Sequence, residues 1–345
     1  MIFEKGTRNR PFRCILLASV LMLVAIVRNF FLIIDLIESV TLSKSSNTEM
    51  NEPCAVLFFG LVKEFQSIIL PSIERNILES NKNCDIFLHT YNLTKVPINS
   101  RSSETNLALL DVSEALLLTN NYDHIMMEPL SSFHSQRDVI LNHTKVNYHR
   151  GWGDCCVSHE NMIKQWHSIQ QVWDLMKNYE RRILSKFDRT DKIIDTQHLH
   201  YYTQVGLFRS DVYYLNPINI FDSNAATGNF AQHGGYNDRF FYGNYKNAEI
   251  WASKRFNFVS TYEEKYMKTF NSTKKGKDGY HSETYLKYLL DYYNVPVEQK
   301  NICVLRVRSG PRIKVTDCKD LDQFNNWNKT VTYIPLRPTD YEPIA

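Results

Sequence analysis

The sequence predicts an α/β fold, a mostly parallel central sheet flanked by helices, carried as a single domain behind an N-terminal transmembrane helix. Three observations predict it. Short apolar runs at Ala55–Phe59 and Asp85–Thr90 bracket a segment with helical spacing, which is a βαβ unit and implies parallel pairing. Strand-like and helix-like segments then alternate down the chain. Ahead of them stands an aliphatic stretch, Ile15 to Val27, continued by Phe30 to Ile34 and preceded by Lys5, Arg8, Arg10 and Arg13.

The elements follow in order. Residues 1–13 read as a cytosolic tail and 14–34 as a signal anchor, long enough to span a bilayer with Arg28 snorkelling to the headgroups. The basic flank keeps the tail in the cytosol and sends the rest into the lumen of the secretory pathway. A cleaved signal would have small residues at its end, where Arg28 and Asn29 stand, and the same flank argues against a buried soluble helix. Residues 35–53 form a polar stem, and 54–345 one lumenal domain with enough chain for a proper core. Ala55–Phe59 is a buried strand ending at Gly60. Residues 66–79 form a helix with Ile68, Ile69, Ile73 and Ile77 apolar and Pro71 in its first turn. Asp85–Thr90 and His124–Glu128 are the next strands. Ser158 to Leu184 is the longest helix, with Ser158 as N-cap, Glu160 in its first turn, and Met162, Trp166, Ile169, Trp173 and Met176 as a core stripe. Thr203–Tyr214 is one β-rich run, 228–243 a glycine-rich loop, and 244–256 a helix. Residues 282–293 form another helix with Ser282 as N-cap. The stretches 302–307 and 312–316 make a closing hairpin around Ser309-Gly310-Pro311.

Charge and cysteine narrow the function. The formal charge of +3 is carried entirely by residues 1–13, where four basic groups face Glu4, so the remainder is neutral. Nothing is left to bind nucleic acid by counterion release. Aromatic content is high at 13%, which suits sugar-binding faces, although core packing explains most of it. Cys14 lies at the membrane. Cys54, Cys84, Cys155, Cys156, Cys303 and Cys318 allow up to three disulfides in an oxidising lumen. Cys54 pairs with Cys84 if their strands are neighbours, and Cys303 and Cys318 flank the hairpin. No cysteine spacing has the form of a zinc site. Glycosylation sequons at Asn92, Asn142, Asn271 and Asn328 are about as frequent as chance allows, so only the lumenal topology makes them sites.

Polar groups collect at the ends of apolar strands, where open α/β sheets bind ligands. In Gly60-Leu-Val-Lys63-Glu64-Phe65, backbone N–H groups and Lys63 suit a phosphate. In Arg209-Ser210-Asp211, Arg209 suits a diphosphate and Asp211 a Mn²⁺ or Mg²⁺ ion shared with substrate phosphates; a structural ion pair is the alternative. In Gly234-Gly235-Tyr-Asn237-Asp238-Arg239, Asn237 and Arg239 supply donors, and Asp238 is a carboxylate for orienting an acceptor hydroxyl or for base catalysis. Glu283, in the first turn of a helix, is a further candidate base, whereas His233 and His281 read as structural.

In that order, Gly60 through Phe65, Asp85-Ile-Phe-Leu-His-Thr-Tyr91, Gly206 through Asp211, Gly235 through Arg239, Ser282-Glu283 with Leu286, and Arg306-Val-Arg308-Ser-Gly310 resemble a poorly characterised group of single-pass glycosyltransferases. The resemblance spans most of residues 55–318. It implies a GT-A, Rossmann-like nucleotide-sugar fold, a type II protein of the Golgi or ER membrane, a nucleotide-sugar donor, and a glycan or glycoprotein acceptor. Gly60, Lys63, Arg209, Asp211, Asn237 and Arg239 would bind the donor, and Asp238 and Glu283 would be catalytic. Two departures stand out. Lys63 replaces an Arg and loses its bidentate fork, and Arg209-Ser210-Asp211 stands where metal-dependent members carry Asp-x-Asp, so Arg209 takes on part of the cation's work. A non-catalytic glycan-binding or scaffold protein of the same fold is the alternative. A sulfotransferase ranks last, because the first loop has no Ser or Thr.

Overall fold

The computed structural model describes residues 52–96, 110–119, 121–143, 157–187, 200–267, 281–308, 312–318 and 334–335. The expected tail, anchor and nearly all of the stem lie outside these residues, as do Cys14, Cys155, Cys156 and the turn 309–311. Among the described residues no helix is long and apolar enough to cross a membrane.

A seven-stranded sheet forms the centre, in the order β3-β2-β1-β4-β7-β6-β8. Its strands are β1 (Cys54–Phe59), β2 (Asp85–Tyr91), β3 (Ile125–Glu128), β4 (Gln204–Arg209), β6 (Ala225–Gly228), β7 (Phe240–Asn244) and β8 (Glu298–Lys300). β1 pairs in parallel with both β2 and β4, β2 with β3, and β6 with β8; only β7 runs antiparallel to its neighbours. A smaller sheet has the order β11-β10-β9-β5, from β5 (Val212–Tyr214), β9 (Val304–Arg308), β10 (Arg312–Ile313) and β11 (Ile334–Pro335).

β1 shows why this sheet is buried on both faces. All six of its residues are apolar and buried. The two-residue period of a strand sends Cys54, Val56 and Phe58 into one core and Ala55, Leu57 and Phe59 into the other. The first core is closed by the helical run 65–81, whose central α-turn is α1 (Leu70–Ile73), and by the small sheet through Val212, Tyr214, Val304 and Leu305. α2 (His134–His143), α3 (Val157–Phe187), α4 (Tyr245–Ser253), α5 (Val259–Tyr262) and α6 (Ser282–Tyr292) contribute to the second. The expected stripe of α3 is its buried face, with Trp166, Ile169, Trp173 and Met176 inaccessible to solvent.

The parallel β1–β2 register puts Cys54 and Cys84 at neighbouring strand starts, and they form a disulfide with Cα atoms 4.6 Å apart. Cys303 and Cys318 form a second, with Cα atoms 5.8 Å apart, across the hairpin of β9 and β10.

Four expectations are corrected. The run 203–214 is two strands in two sheets, broken at Ser210 and Asp211. Ser210 N–H makes the last bond to β1, to the Phe59 carbonyl at 2.9 Å, its hydroxyl joins the same carbonyl at 3.1 Å, and beyond Asp211 the chain pairs with β9 in the small sheet. The stretch 228–243 is loop only up to Arg239; Phe240 onward is β7, whose aromatic residues are needed in the core. The N-cap of α6 is His281, not Ser282, because the Ser282 hydroxyl donates to Asp238 at 2.6 Å and leaves the helix end uncapped by a side chain. α3 also starts at Val157, one residue before the expected cap.

Candidate functional site

The strand order reverses between β1 and β4: the chain builds β2 and β3 on one side of β1, then crosses to the other. Such a switch point opens a crevice at the carboxyl ends of the strands. Phe59 and Arg209 are register partners at that end. Gly60 and the Arg209-Ser210-Asp211 segment therefore meet there.

Gly60 has φ near +113°, a conformation that disfavours any side chain, and its N–H donates to Ser168 Oγ on α3 at 2.9 Å. A β-carbon on it would contact Ser210 Oγ and Asp211 Oδ1. Ser210 Oγ also reaches the Leu61 carbonyl at 3.1 Å, tying the two loops together. Glu64 is left-handed at φ 48°, and the helical run begins directly after it. Lys63 is buried in this turn.

Arg209 and Asp211 form a two-pronged ion pair: Nε to Oδ1 and Nη2 to Oδ2 are both 2.8 Å. Their side chains are 21% and 13% exposed, so the pair is largely buried and keeps a small edge to solvent. Burial alone would raise the Asp211 carboxyl, but Arg209, with Lys63 and Arg308, outweighs it and holds the pKa at about 2. Both carboxylate oxygens are engaged by the guanidinium, and positive charge surrounds them. That environment does not suit a dication at Asp211, and no metal chemistry is derived there.

Asp238 and Glu283 form a second group. Asp238 is buried. Its Oδ2 accepts from Ser282 Oγ at 2.6 Å and from Gln165 Nε2 at 3.3 Å, and Gln165 also binds its backbone carbonyl at 2.9 Å. Burial would raise this carboxyl too, but Arg209, the Ser282 hydroxyl, Arg239 and Arg255 hold it below its ordinary range. Glu283 goes the other way. Burial first, and then the charge of Asp238, push it up to about 8. Its Oε2 lies 3.1 Å from His281 Nδ1. Two carboxyls in one region are thus driven apart, the arrangement that separates a permanent anion from a proton acceptor near neutral pH.

Asn237 and Arg239 face elsewhere. The Asn237 amide donates to the Phe230 carbonyl at 2.8 Å and accepts from Arg239 N–H at 2.9 Å, so it shapes the loop. Arg239 reaches the small sheet, donating to the Val304 carbonyl at 2.9 Å and pairing with Asp317 at 3.2 Å. Burial pulls its pKa down to about 10. Gly235 lets this loop press onto α6: Tyr236 N–H donates to the Glu283 carbonyl at 3.0 Å, and a β-carbon on Gly235 would meet that same carbonyl.

Gln165 and Ser168 were missed from the sequence, and Ser282 was read as a helix cap, not as the partner of Asp238. A signal existed for the first two. Gln165 and Ser168 are one turn apart beside the Trp166 and Ile169 stripe of α3, and polar residues there need polar partners from the sheet end. An open hollow of about 470 Å³ lined by Asp85, Thr119, Asn121, His124 and Tyr179 lies at the amino ends of β2 and β3, away from the switch point.

The structure is similar to that of mouse xyloside xylosyltransferase 1 in its apo form, with 11% sequence identity and a TM-score of 0.35, over 71% of this chain and 84% of that one. No protein-family model and no curated protein sequence matches the chain.

Proposed function

We propose that this chain is a glycosyltransferase that moves a sugar from a nucleotide-sugar donor to a hydroxyl of a glycan or glycoprotein, in the lumen of the Golgi or ER and anchored by residues 14–34. The observation that carries the reading is the meeting of the Arg209–Asp211 pair with the Gly60 loop at the switch point, beside two carboxyls with opposed proton affinities. The two disulfides accord with an oxidising lumen.

In this reading the donor diphosphate lies at the Gly60 turn and over Arg209, with Lys63 and Arg308 adding positive potential. Asp211 fixes the plane of the guanidinium, so its free edge is presented without reorganisation. The acceptor oxygen attacks the anomeric carbon, and the bond from that carbon to the phosphate oxygen breaks. The electron pair leaves with the diphosphate. Glu283 takes the acceptor proton, its pKa near the working pH, while Asp238 stays an anion that orients the acceptor. No metal is assigned a role at Asp211.

The test is turnover of a panel of UDP- and GDP-sugars by the full-length protein, scored for hydrolysis and for transfer to glycan acceptors. Transfer from one donor that falls at least about 100-fold in Glu283→Gln, with donor affinity unchanged, supports the proposal. Absence of hydrolysis and transfer by the wild type, or full activity in Asp211→Ala, overturns it. A glycan-binding protein without catalysis is the second reading, favoured by the mutual satisfaction of Arg209 and Asp211; glycan binding with no nucleotide binding would select it.

A further inference from the structure

We propose that His89, Glu128 and His167 form a binding site for one divalent transition-metal ion, with zinc the fitting occupant. His89 is on β2, Glu128 ends β3, and His167 is on α3, so three separate elements converge on the point. One ligand atom from each of the three lies within 4.8 Å of the others. Glu128 Oε2 is 2.8 Å from His167 Nε2 and 3.5 Å from His89 Nε2. A tetrahedral ion with bonds of ~2.1 Å holds its ligand atoms about 3.4 Å apart, so small side-chain shifts would close the three around a cation.

The outer contacts agree with metal ligation. A ligating histidine directs its other ring nitrogen to a hydrogen-bond acceptor, which leaves the ligating nitrogen with a free lone pair. His167 Nδ1 contacts Gln136 Oε1. His89 Nδ1 contacts Ser168 Oγ at 2.7 Å, and that hydroxyl also lies 3.4 Å from the His89 carbonyl, to which it can give its own proton. In the tautomers with Nδ1 protonated, both rings point unprotonated Nε2 atoms at the Glu128 carboxylate, and a cation held between them would satisfy all three. His89 is wholly buried, and its Nε2 has no well-formed hydrogen bond. An unspent polar atom in that position is costly, and a metal bond would use it.

The donor set decides which ion. Two imidazoles and one carboxylate suit zinc and the late first-row metals before it, whereas Mg²⁺ and Mn²⁺ favour oxygen. Three protein ligands leave a fourth position for water or a substrate atom, and Glu128, 22% exposed, gives the site an edge to solvent. Tyr91 packs on both histidine rings but spends its hydroxyl on the Lys164 carbonyl at 2.8 Å, so it is not a fourth ligand. Ser168 joins the site to the candidate donor loop, since the same oxygen holds the Gly60 N–H. Metal binding here requires nothing of the nucleotide-sugar reading.

The full-length chain, purified in detergent and stripped with EDTA, should bind Zn²⁺ at one equivalent per chain by calorimetry. Co²⁺ in its place should give the strong visible bands of a four-coordinate ion. His167→Ala and Glu128→Gln should abolish stoichiometric binding, and Gln136→Ala should weaken it by roughly 10–100-fold. Asp211→Ala should bind as the wild type does. Circular dichroism separates lost ligation from lost folding, and Glu128→Gln, partly exposed and of the same shape, serves if a histidine variant does not fold. No stoichiometric Zn²⁺ in the wild type overturns the proposal, and so does wild-type affinity in His167→Ala and Glu128→Gln, or loss of binding in Asp211→Ala alone.

Discussion

Glu283 and Asp238 share one region of the protein and hold protons in opposite ways, and the difference is measurable. Glu283 ordinarily titrates near 4.5 and is pushed up to about 8 in the fold. Between those values the folded chain binds a proton that the unfolded chain has lost, so stability falls by about 1.4 kcal/mol per pH unit from this group as pH rises. Below 4.5 both states are protonated and nothing is lost; above 8 the loss is complete. Glu283→Gln removes the titration. Denaturant melts should show the variant gaining on the wild type from pH 5 to pH 9, and equal slopes across that range would contradict the assignment. Under the proposed function, transfer by the wild type should also climb toward pH 8 as Glu283 loses its proton. Gly235 offers a second residue-level test. Its lack of a side chain is what allows the Tyr236 N–H to reach the Glu283 carbonyl. Gly235→Ala drives a methyl into that backbone and should destabilise by about 1–3 kcal/mol, and by displacing Glu283 it should lower its pKa. A variant as stable as the wild type would show that the loop and α6 are not locked together.

Among elements, what the sequence made legible and what it hid follow from range. β1, β2 and α3 were readable because their burial is written in local sequence, six apolar residues for β1 and a three- and four-residue step for α3, and β3 as a short apolar run although none of its residues is fully buried. β6 and β8 were not, because Ala225–Gly228 and Glu298–Lys300 carry no strand pattern and are strands only through their neighbours. The break between β4 and β5 was hidden for a similar reason: Val205–Tyr214 is β-rich on both sides of Arg209-Ser210-Asp211, and only pairing with β1 before it and β9 after it divides the run. The pairing of Cys54 with Cys84 was legible as a condition, since it needed only β1 and β2 to be adjacent. A closed loop of that length, 30 residues apart in sequence, is worth about 3–4 kcal/mol through the unfolded chain. Replacing both cysteines by Ala should lower the thermal midpoint by several degrees without moving the Arg209–Asp211 pair, and the wild type in reductant, which also opens Cys303–Cys318, should fall at least as far. A midpoint unaffected by either treatment would show that β1 and β2 hold their register without the bond.

At the scale of the whole molecule, the candidate site was legible in its members but not in its grouping. Gly60, Arg209 and Asp211 could be picked out as polar residues at strand ends, and the parallel β1–β4 pairing makes them neighbours. Asn237 and Arg239 looked equivalent to Asp238 in sequence, but the loop turns Asn237 inward and sends Arg239 to Asp317 in the small sheet. Composition could not reveal which way each would point, because that depends on contacts made across the two sheets. The same contacts make the switch point part of the folded state alone: Arg209 and Gly60 are far apart in sequence and meet only once β1 and β4 have paired. A ligand that needs both must therefore bind the folded chain and not the unfolded one. By mass action, a nucleoside diphosphate at 100 times its dissociation constant should stabilise the protein by about 2.7 kcal/mol. For a chain of this size that is a rise of roughly 5–10 °C in thermal midpoint, growing with the logarithm of concentration. Arg209→Ala should lose most of the rise while Cys54→Ala/Cys84→Ala, though less stable, keeps it. A midpoint that does not respond to UDP or GDP at millimolar concentration, in a wild type that melts cooperatively, would remove the diphosphate from the crevice between β1 and β4.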